Sequence, residues 1–382
     1  MTECCDYESS SSNLSLTSSA NVDRGAFYAV YLYSNNSQKS RSSDDGATCD
    51  ATSRADDSAK ESLSLLATDL GAASETDLRC YLLKKVARDL QDSRANLDIV
   101  ELSMGEKMST PMACLHQAFW KSADPEKKDH HAYVLCFVTA DDGTLDLFFS
   151  EVETFGKAMV PLLTNSESEF RQVLRENMEN WYYICVSYIS RCLKGLGDSV
   201  ATLLHCALND GSIDVDIADP EERGDFQRFV DVCKLEMLSS THSADKEEAQ
   251  QDDTSIRPSL TICRGTEGIE LSHAETSEFC KRWAKVIFRE NVDNALLQRR
   301  ILEGFKLKTI QDMNLVKRLV KQAENDHYAL YNAFRFLKQC GYSDTLLKRA
   351  LREGSVTATT EGRDVVTVLT EHLDSSKRNP TA

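Results

Sequence analysis

Apolar positions change their spacing partway along the chain. Before about residue 163 they fall in short runs of the kind that strands bury; beyond it they recur every three or four residues, as on one helix face. Phe27–Tyr33 is aromatic and β-branched, bounded by Gly25 and by Ser34, Asn35 and Asn36, and predicts a strand. Leu78, Leu82, Val86 and Leu90 predict a helix, with Ser74 and Asp77 at capping-box spacing near its start. Leu97–Leu102 alternates as a half-buried strand, and Ala132–Thr139 reads as a buried one. Asp141, Asp142 and Gly143 predict a turn into a strand over Leu145–Phe149, and Phe149–Leu163 fits either strand or helix. This order predicts a small α+β domain over 24–163, for which a longin-like arrangement is one option.

The second half reads as a helical domain over 164–374. Phe170, Val173, Leu174, Met178, Trp181, Ile184, Cys185, Tyr188 and Cys192 trace one stripe, which predicts a single long helix. Ser166 and Glu169 form a capping box at its start, and Gly195 and Gly197 stop it. Asp198 is placed to cap a shorter helix that turns Val200, Leu203, Leu204, Ala207 and Leu208 inward. Helices follow over about 221–238 and 274–290, with a strand at Ser259–Cys263 between them. In 295–323 the expected buried face is Ile301, Phe305, Ile310, Met313, Val316, Val320 and Ala323, widened by Leu315 and Leu319. Leu330, Ala333, Phe334 and Leu337 mark the next helix, stopped at Gly341. Leu346, Leu347 and Leu351 mark another, and Val365–Leu373 a fourth. Short connections predict antiparallel packing, and no fixed period supports a solenoid.

Four segments carry too few apolar residues to offset the entropy of ordering: 1–23, an insert at 34–60, a loop at 239–256 and a tail at 375–382. No apolar run reaches the roughly 18 residues a spanning helix needs, and no secretory signal is readable, so a cytoplasmic protein is expected. The 13 cysteines include no C-x-x-C pair, and several lie in apolar runs as small buried side chains. Cys4 and Cys5 offer an acylation site, although such pairs are more often unmodified.

The net charge of −17 conceals an asymmetry. Between Lys281 and Arg352 there are 16 basic residues against 7 acidic ones. Lys306, Lys308, Lys317, Arg318 and Lys321 are the candidate partner-binding residues within this segment, since a basic helix in an acidic chain steers acidic partners. The plainer reading is that these charges solvate the outer face of a bundle. Nucleic-acid binding is disfavoured by the overall acidity and by the lack of a reader motif.

Enzyme chemistry has little to stand on. Gly195-Leu196-Gly197 follows a helix rather than a strand, so it is no phosphate loop, and no G-x-S-x-G or H-E-x-x-H occurs. Cys263, His273 and Cys280 are spaced too loosely for zinc, as are His130 and His131 near Cys136. Lone histidines such as His205 and His327 read as structural. Cys280 with a distant histidine is a chance pairing, and Asp141-Asp142 fits a turn. No catalytic residue, cofactor or metal site is therefore expected; an unrecognised enzyme would require a deep polar pocket with a strongly perturbed titratable group.

The C-terminal helices carry a resemblance. Gly304 to Tyr331, continuing through Phe336–Gly341 to Asp344–Lys348, is similar to the signature region of the Njmu-R protein family. Its most specific pieces are Phe305-Lys306-Leu307-Lys308, Ile310-Gln311-Asp312, Gln322-Ala323-Glu324 and His327-Tyr328-Ala329-Leu330. Weaker echoes lie at Phe279–Trp283, at Tyr133–Phe137 with Gly143 and Leu145, and at Ser62–Leu65, while 104–130 and 239–256 diverge. The resemblance implies a spermatogenesis-associated, non-catalytic subunit of a WD-repeat scaffold complex at the trans-Golgi network. It implies work with a TBC-domain protein and golgins in capturing endosome-derived, clathrin-adaptor-type vesicles. It supplies no catalytic or cofactor-binding residues, and membrane contact would come only through partners. An alternative is a longin-like regulator binding a small GTPase or a coat protein.

Overall fold

The computed structural model describes residues 25–35, 61–89, 95–104, 109–120, 131–140, 144–164, 170–235, 259–266, 268–272, 275–352 and 360–378. The fold is α+β, with a sheet-based region followed by a mainly helical one. The chain divides between Cys185 and Val186 into two compact units. The expected caps at Ser166 and Glu169, the turn at Asp141–Gly143, the loop at 239–256 and residues 1–23 lie outside the described residues.

Five strands build the first unit: β1 (Ala26–Asn35), β2 (Glu61–Thr68), β3 (Asn96–Ser103), β4 (Ser109–Trp120) and β5 (His131–Thr139). They form an antiparallel sheet in the order β2-β1-β5-β4-β3. Helix α1 (Ala72–Asp89) follows β2, and α2 (Phe149–Thr164), α3 (Phe170–Glu179) and α4 (Trp181–Cys185) follow β5. Both sheet faces are covered, which is why β1 and β5 read as unbroken apolar runs. Phe27, Ala29, Tyr31 and Tyr33 join Leu78 and Leu82 of α1 in one buried cluster. On the opposite face Phe137 packs against Phe155 and Trp181, at ring-centroid distances of 6.0 and 5.1 Å. Burying each such ring contributes about 2–3 kcal/mol.

Several expectations are corrected here. Ser34 and Asn35, placed in the insert by composition, continue β1, where Ser34 Oγ lies 2.7 Å from Ser62 Oγ across the strand pair. Ser74 and Asp77 do not cap α1, which begins earlier. Ser74 Oγ donates to the Ser103 carbonyl (2.7 Å) and Asp77 Oδ2 accepts the Ser103 N–H (2.9 Å), so the motif clamps the end of β3. Leu145–Phe148 forms a 3-10 turn that runs into α2 rather than a strand. The single long helix expected through 166–192 is broken twice. Asn180 N–H closes a tight turn on the Asn177 carbonyl (3.1 Å) while its side-chain amide donates to the Glu176 carbonyl (3.0 Å), which ends α3. The second break, between α4 and the helix that starts at Tyr188, coincides with the boundary between the units, so α3 and α4 belong to the first unit, beyond the 163/164 boundary expected from the sequence.

The second unit contains α5 (Tyr188–Leu196), α6 (Val200–Leu208), β6 (Ser212–Asp216), α7 (Pro220–Cys233), β7 (Ser259–Arg264) and β8 (Ile269–Leu271). It continues with α8 (Glu278–Arg289), α9 (Ala295–Ala323), α10 (His327–Cys340), α11 (Ser343–Arg352) and α12 (Thr360–Arg378). Strand β7 pairs parallel to β6 and antiparallel to β8. Gly197, at φ +51°, ends α5 as expected, but Asp198 sits in a 3-10 turn and makes no cap for α6. Asp219 does cap α7, and Ser277, Asn294 and Asp326 cap α8, α9 and α10 through their side chains. Helix α9 is the spine of this unit, packed by α5, α7, α8, α10, α11 and α12. The tail expected from residue 375 is helical to Arg378, where Lys377 Nζ pairs with Asp344 of α11 at 2.9 Å.

Candidate partner-binding face

The buried side of α9 mixes apolar and polar residues: Leu302, Phe305, Met313, Val316 and Val320, but also Gln298, Thr309 and Asp312. Ile301 and Ile310, expected inside, are only half-buried. Each of these three side chains has a local partner. Gln298 Nε2 donates to the carbonyls of Ile287 and Asn291, both at 3.1 Å, and Thr309 Oγ1 donates to the Phe305 carbonyl at 3.0 Å. Asp312 accepts from Lys308 Nζ (2.6 Å) and from the Tyr342 hydroxyl (2.7 Å). Burial, with the neighbouring Asp312 carboxylate, holds the Tyr342 phenol far above its ordinary range. Around this pair Phe279 stacks on Tyr342 with centroids 3.9 Å apart, and Trp283 meets Phe305 edge-on at 5.8 Å.

The five candidate basic residues therefore divide. Lys306 is half-buried and pairs with Glu303 at 2.7 Å, and Lys308 belongs to the Asp312 network. Lys317 is half-buried, whereas Arg318 and Lys321 are exposed on the helix surface. Two of the five thus serve the unit's own packing, and the outward charge lies toward the C-terminal end of α9.

Helix α10 adds a feature the sequence pattern did not single out. Ala329, Ala333 and Leu337 face inward, while Tyr328 is 70% exposed and Tyr331 57% exposed. Arg335 and Lys338 continue the same outer line. The usable signal was spacing: two tyrosines three residues apart, out of phase with the apolar triplet.

A cleft of about 720 Å³ opens in this unit among α6, α8, α10, α11 and α12. Its polar groups are largely committed to structure. Ser277 Oγ accepts the Cys280 N–H (3.2 Å) as the α8 cap, Thr345 Oγ1 bonds Asn209 Oδ1 (3.1 Å), and Asp344 pairs with Lys377. Burial depresses the His205 pKa, favouring a neutral ring, and its Nε2 lies 3.3 Å from Asn209 Nδ2.

The remaining sequence candidates do not converge. Cys280 is buried and its thiol is pushed up to about 12, leaving it protonated at neutral pH. The Cys263 sulfur lies 3.6 Å from the Glu270 carbonyl, and His327 is exposed at the start of α10. His273 and His130 lie outside the described residues. Among the described residues no group of three or more His, Cys, Asp or Glu side chains is arranged to hold a metal ion. A polar strip under α1 went unnoticed in the sequence, and the strand register explains it. Asp98 opposes Cys114 and His116 opposes Cys136, so all four side chains share one sheet face. A hydrogen bond from Cys136 lowers the Cys114 pKa, while burial raises that of Cys136. Both cysteines are completely buried. Among the described residues no helix is long and apolar enough to cross a membrane.

The sequence profile of the Njmu-R1-like protein family matches residues 28–375. Protein Njmu-R1 of the mouse is 28% identical over 356 residues, which cover 91% of this chain and 89% of that protein.

Proposed function

The chain belongs to the Njmu-R1-like protein family, and from that premise we propose that it is a non-catalytic adaptor subunit of a WD-repeat complex. In this reading it supports golgin-mediated capture of endosome-derived, clathrin-adaptor-type vesicles at the trans-Golgi network, with a TBC-domain protein as an indirect partner. It is cytoplasmic and reaches the membrane only through partners. The observation that carries the reading is the outward basic end of α9, with Arg318 and Lys321 exposed in a chain of net charge −17. Such a face draws an acidic partner surface by long-range steering. Lys317 flanks it, while Lys306 and Lys308 contribute through packing. Affinity purification of the full chain from its own cells tests the reading. The R318E/K321E variant should keep its melting temperature and recover at least five-fold less of a WD-repeat protein than wild type. Undiminished recovery takes this face out of the interface, and absence of any WD-repeat protein from the wild-type sample ends the adaptor reading.

The sheet order of the first unit supports a second, subordinate reading. An antiparallel sheet with α1 on one face and α2–α4 on the other is compatible with a longin-like module that engages a small GTPase or coat protein. Nucleotide-dependent co-elution with a GTPase is the result that would favour it.

A further inference from the structure

We infer that the outer line of α10, formed by Tyr328, Tyr331, Arg335 and Lys338, docks an acidic amphipathic helix of a partner protein. The inference deepens the adaptor reading by naming the anchor residues and the chemistry they recognise. The four positions follow i, i+3, i+7 and i+10, so they share one helical face about 15 Å long, opposite Ala329, Ala333 and Leu337. Tyr328 and Tyr331 hold more than half of their surface in solvent, at 70% and 57% exposure. Paired exposed tyrosines offer large, stiff contact area at low entropic cost, and with arginine they are the residue types that anchor protein interfaces.

Charge fixes the sign of the occupant. Helix α10 contains no Asp or Glu. Among the described residues neither Arg335 nor Lys338 has a carboxylate within ion-pair distance. Neighbouring α9 holds two acids, and both are occupied: Glu303 by Arg299 and Lys306, Asp312 by Lys308 and Tyr342. Lys338 also borders the cleft with Glu275, Glu278 and Asp344, and α12, packed on α10, carries Glu371 and Asp374. Glu278 pairs with Lys281, and Asp344 and Asp374 pair with Lys377, so of these five acids Arg335 and Lys338 keep their charge for a partner against Glu275 and Glu371 only. Its layout is polar along the axis. The apolar anchors of the incoming helix would meet the tyrosines near the start of α10, and its carboxylates would meet Arg335 and Lys338 near the end. A membrane surface fits less well. Interfacial helices bury a continuous apolar face in lipid, and the apolar face of α10 is already spent on the unit's interior.

The test places a photo-crosslinking amino acid at Tyr331 of the full chain, and at exposed Tyr183 as control, in the cells that make it. The crosslinked peptides are then sequenced. The expected peptide from position 331 is net acidic with apolar residues three or four apart, and its yield drops at least ten-fold in the R335E/K338E background. Crosslinks to lipid, to neutral or basic segments, or no more than at position 183, overturn the inference. Loss of the yield only alongside a lowered melting temperature is resolved by R335Q/K338Q, which must lose yield while melting as wild type does. If the acidic peptide belongs to a protein outside any WD-repeat assembly, the adaptor reading fails while this docking face stands.

Discussion

Asp69 carries the clearest titration in the first unit. Burial raises its pKa to about 6, although its Oδ1 accepts the Tyr28 N–H at 2.7 Å. The folded protein therefore keeps a proton that the unfolded chain has released between about pH 4 and 6, and stability falls as pH rises through that window. Asp69→Asn keeps the acceptor oxygen and removes the charge. Wild type should lose about 2 kcal/mol relative to this variant between pH 4 and 7 in denaturant titrations; parallel curves would show that the carboxyl is effectively solvated. In the second unit Arg349 is 3% exposed, with Nε donating to the Leu208 carbonyl at 2.6 Å and an ion pair to Asp210. Arg349→Ala should cost about 2–3 kcal/mol. Tyr342→Phe, which strips one hydrogen bond from Asp312 and leaves the ring stacked on Phe279, should cost about 1–2 kcal/mol and spare partner recovery. None of these roles was legible in the sequence. Periodicity assigned Leu351 to the core of α11, yet it is 36% exposed while Arg349 turns inward, because an arginine can be buried once its donors are matched.

At the scale of elements, what the sequence made legible depended on how plainly each one alternates or repeats. The strands at Ala26–Asn35 and His131–Thr139, buried on both faces, stand out as unbroken apolar runs, and α9 through α12 as amphipathic stripes. Strand β4 did not stand out, since Pro111, His116 and Gln117 dilute its pattern, and β2 sets Glu61, Ser62 and Ser64 among its leucines. The break near Asn180 was hidden because the apolar stripe continues across it; competition from a side-chain amide leaves no mark on hydrophobic spacing. The helix stops at Gly197 and Gly341 were legible, whereas the caps expected from Ser74 and Asp198 were not formed and Gly195 lies inside α5. Gly341 ends α10 at φ +84°, a conformation that costs a side-chain-bearing residue about 1–2 kcal/mol. A Cβ there would also approach Phe279 N at 3.3 Å and Arg282 at 3.1 Å. Gly341→Ala should therefore lower stability by at least about 1 kcal/mol in thermal or chemical unfolding, and a neutral result would mean that the end of α10 readily rearranges.

For the whole molecule, the useful signal in the sequence was the unequal distribution of charge, which placed the basic surplus on the C-terminal helices before any geometry was known. Which of those charges face outward was not readable, because Lys306 and Lys308 are drawn into pairs with Glu303 and Asp312 by neighbours one helical turn away. The exposed tyrosines of α10 were likewise hidden among residues that ordinarily fill cores. The central claim is that this chain exists to hold other proteins. Its most direct test is the native size and composition of the endogenous protein, read by size-exclusion chromatography with mass spectrometry of each fraction. The adaptor account predicts that nearly all of it elutes far above its own 42.8 kDa, together with a stoichiometric WD-repeat protein. Elution as a free 42.8 kDa monomer would contradict it.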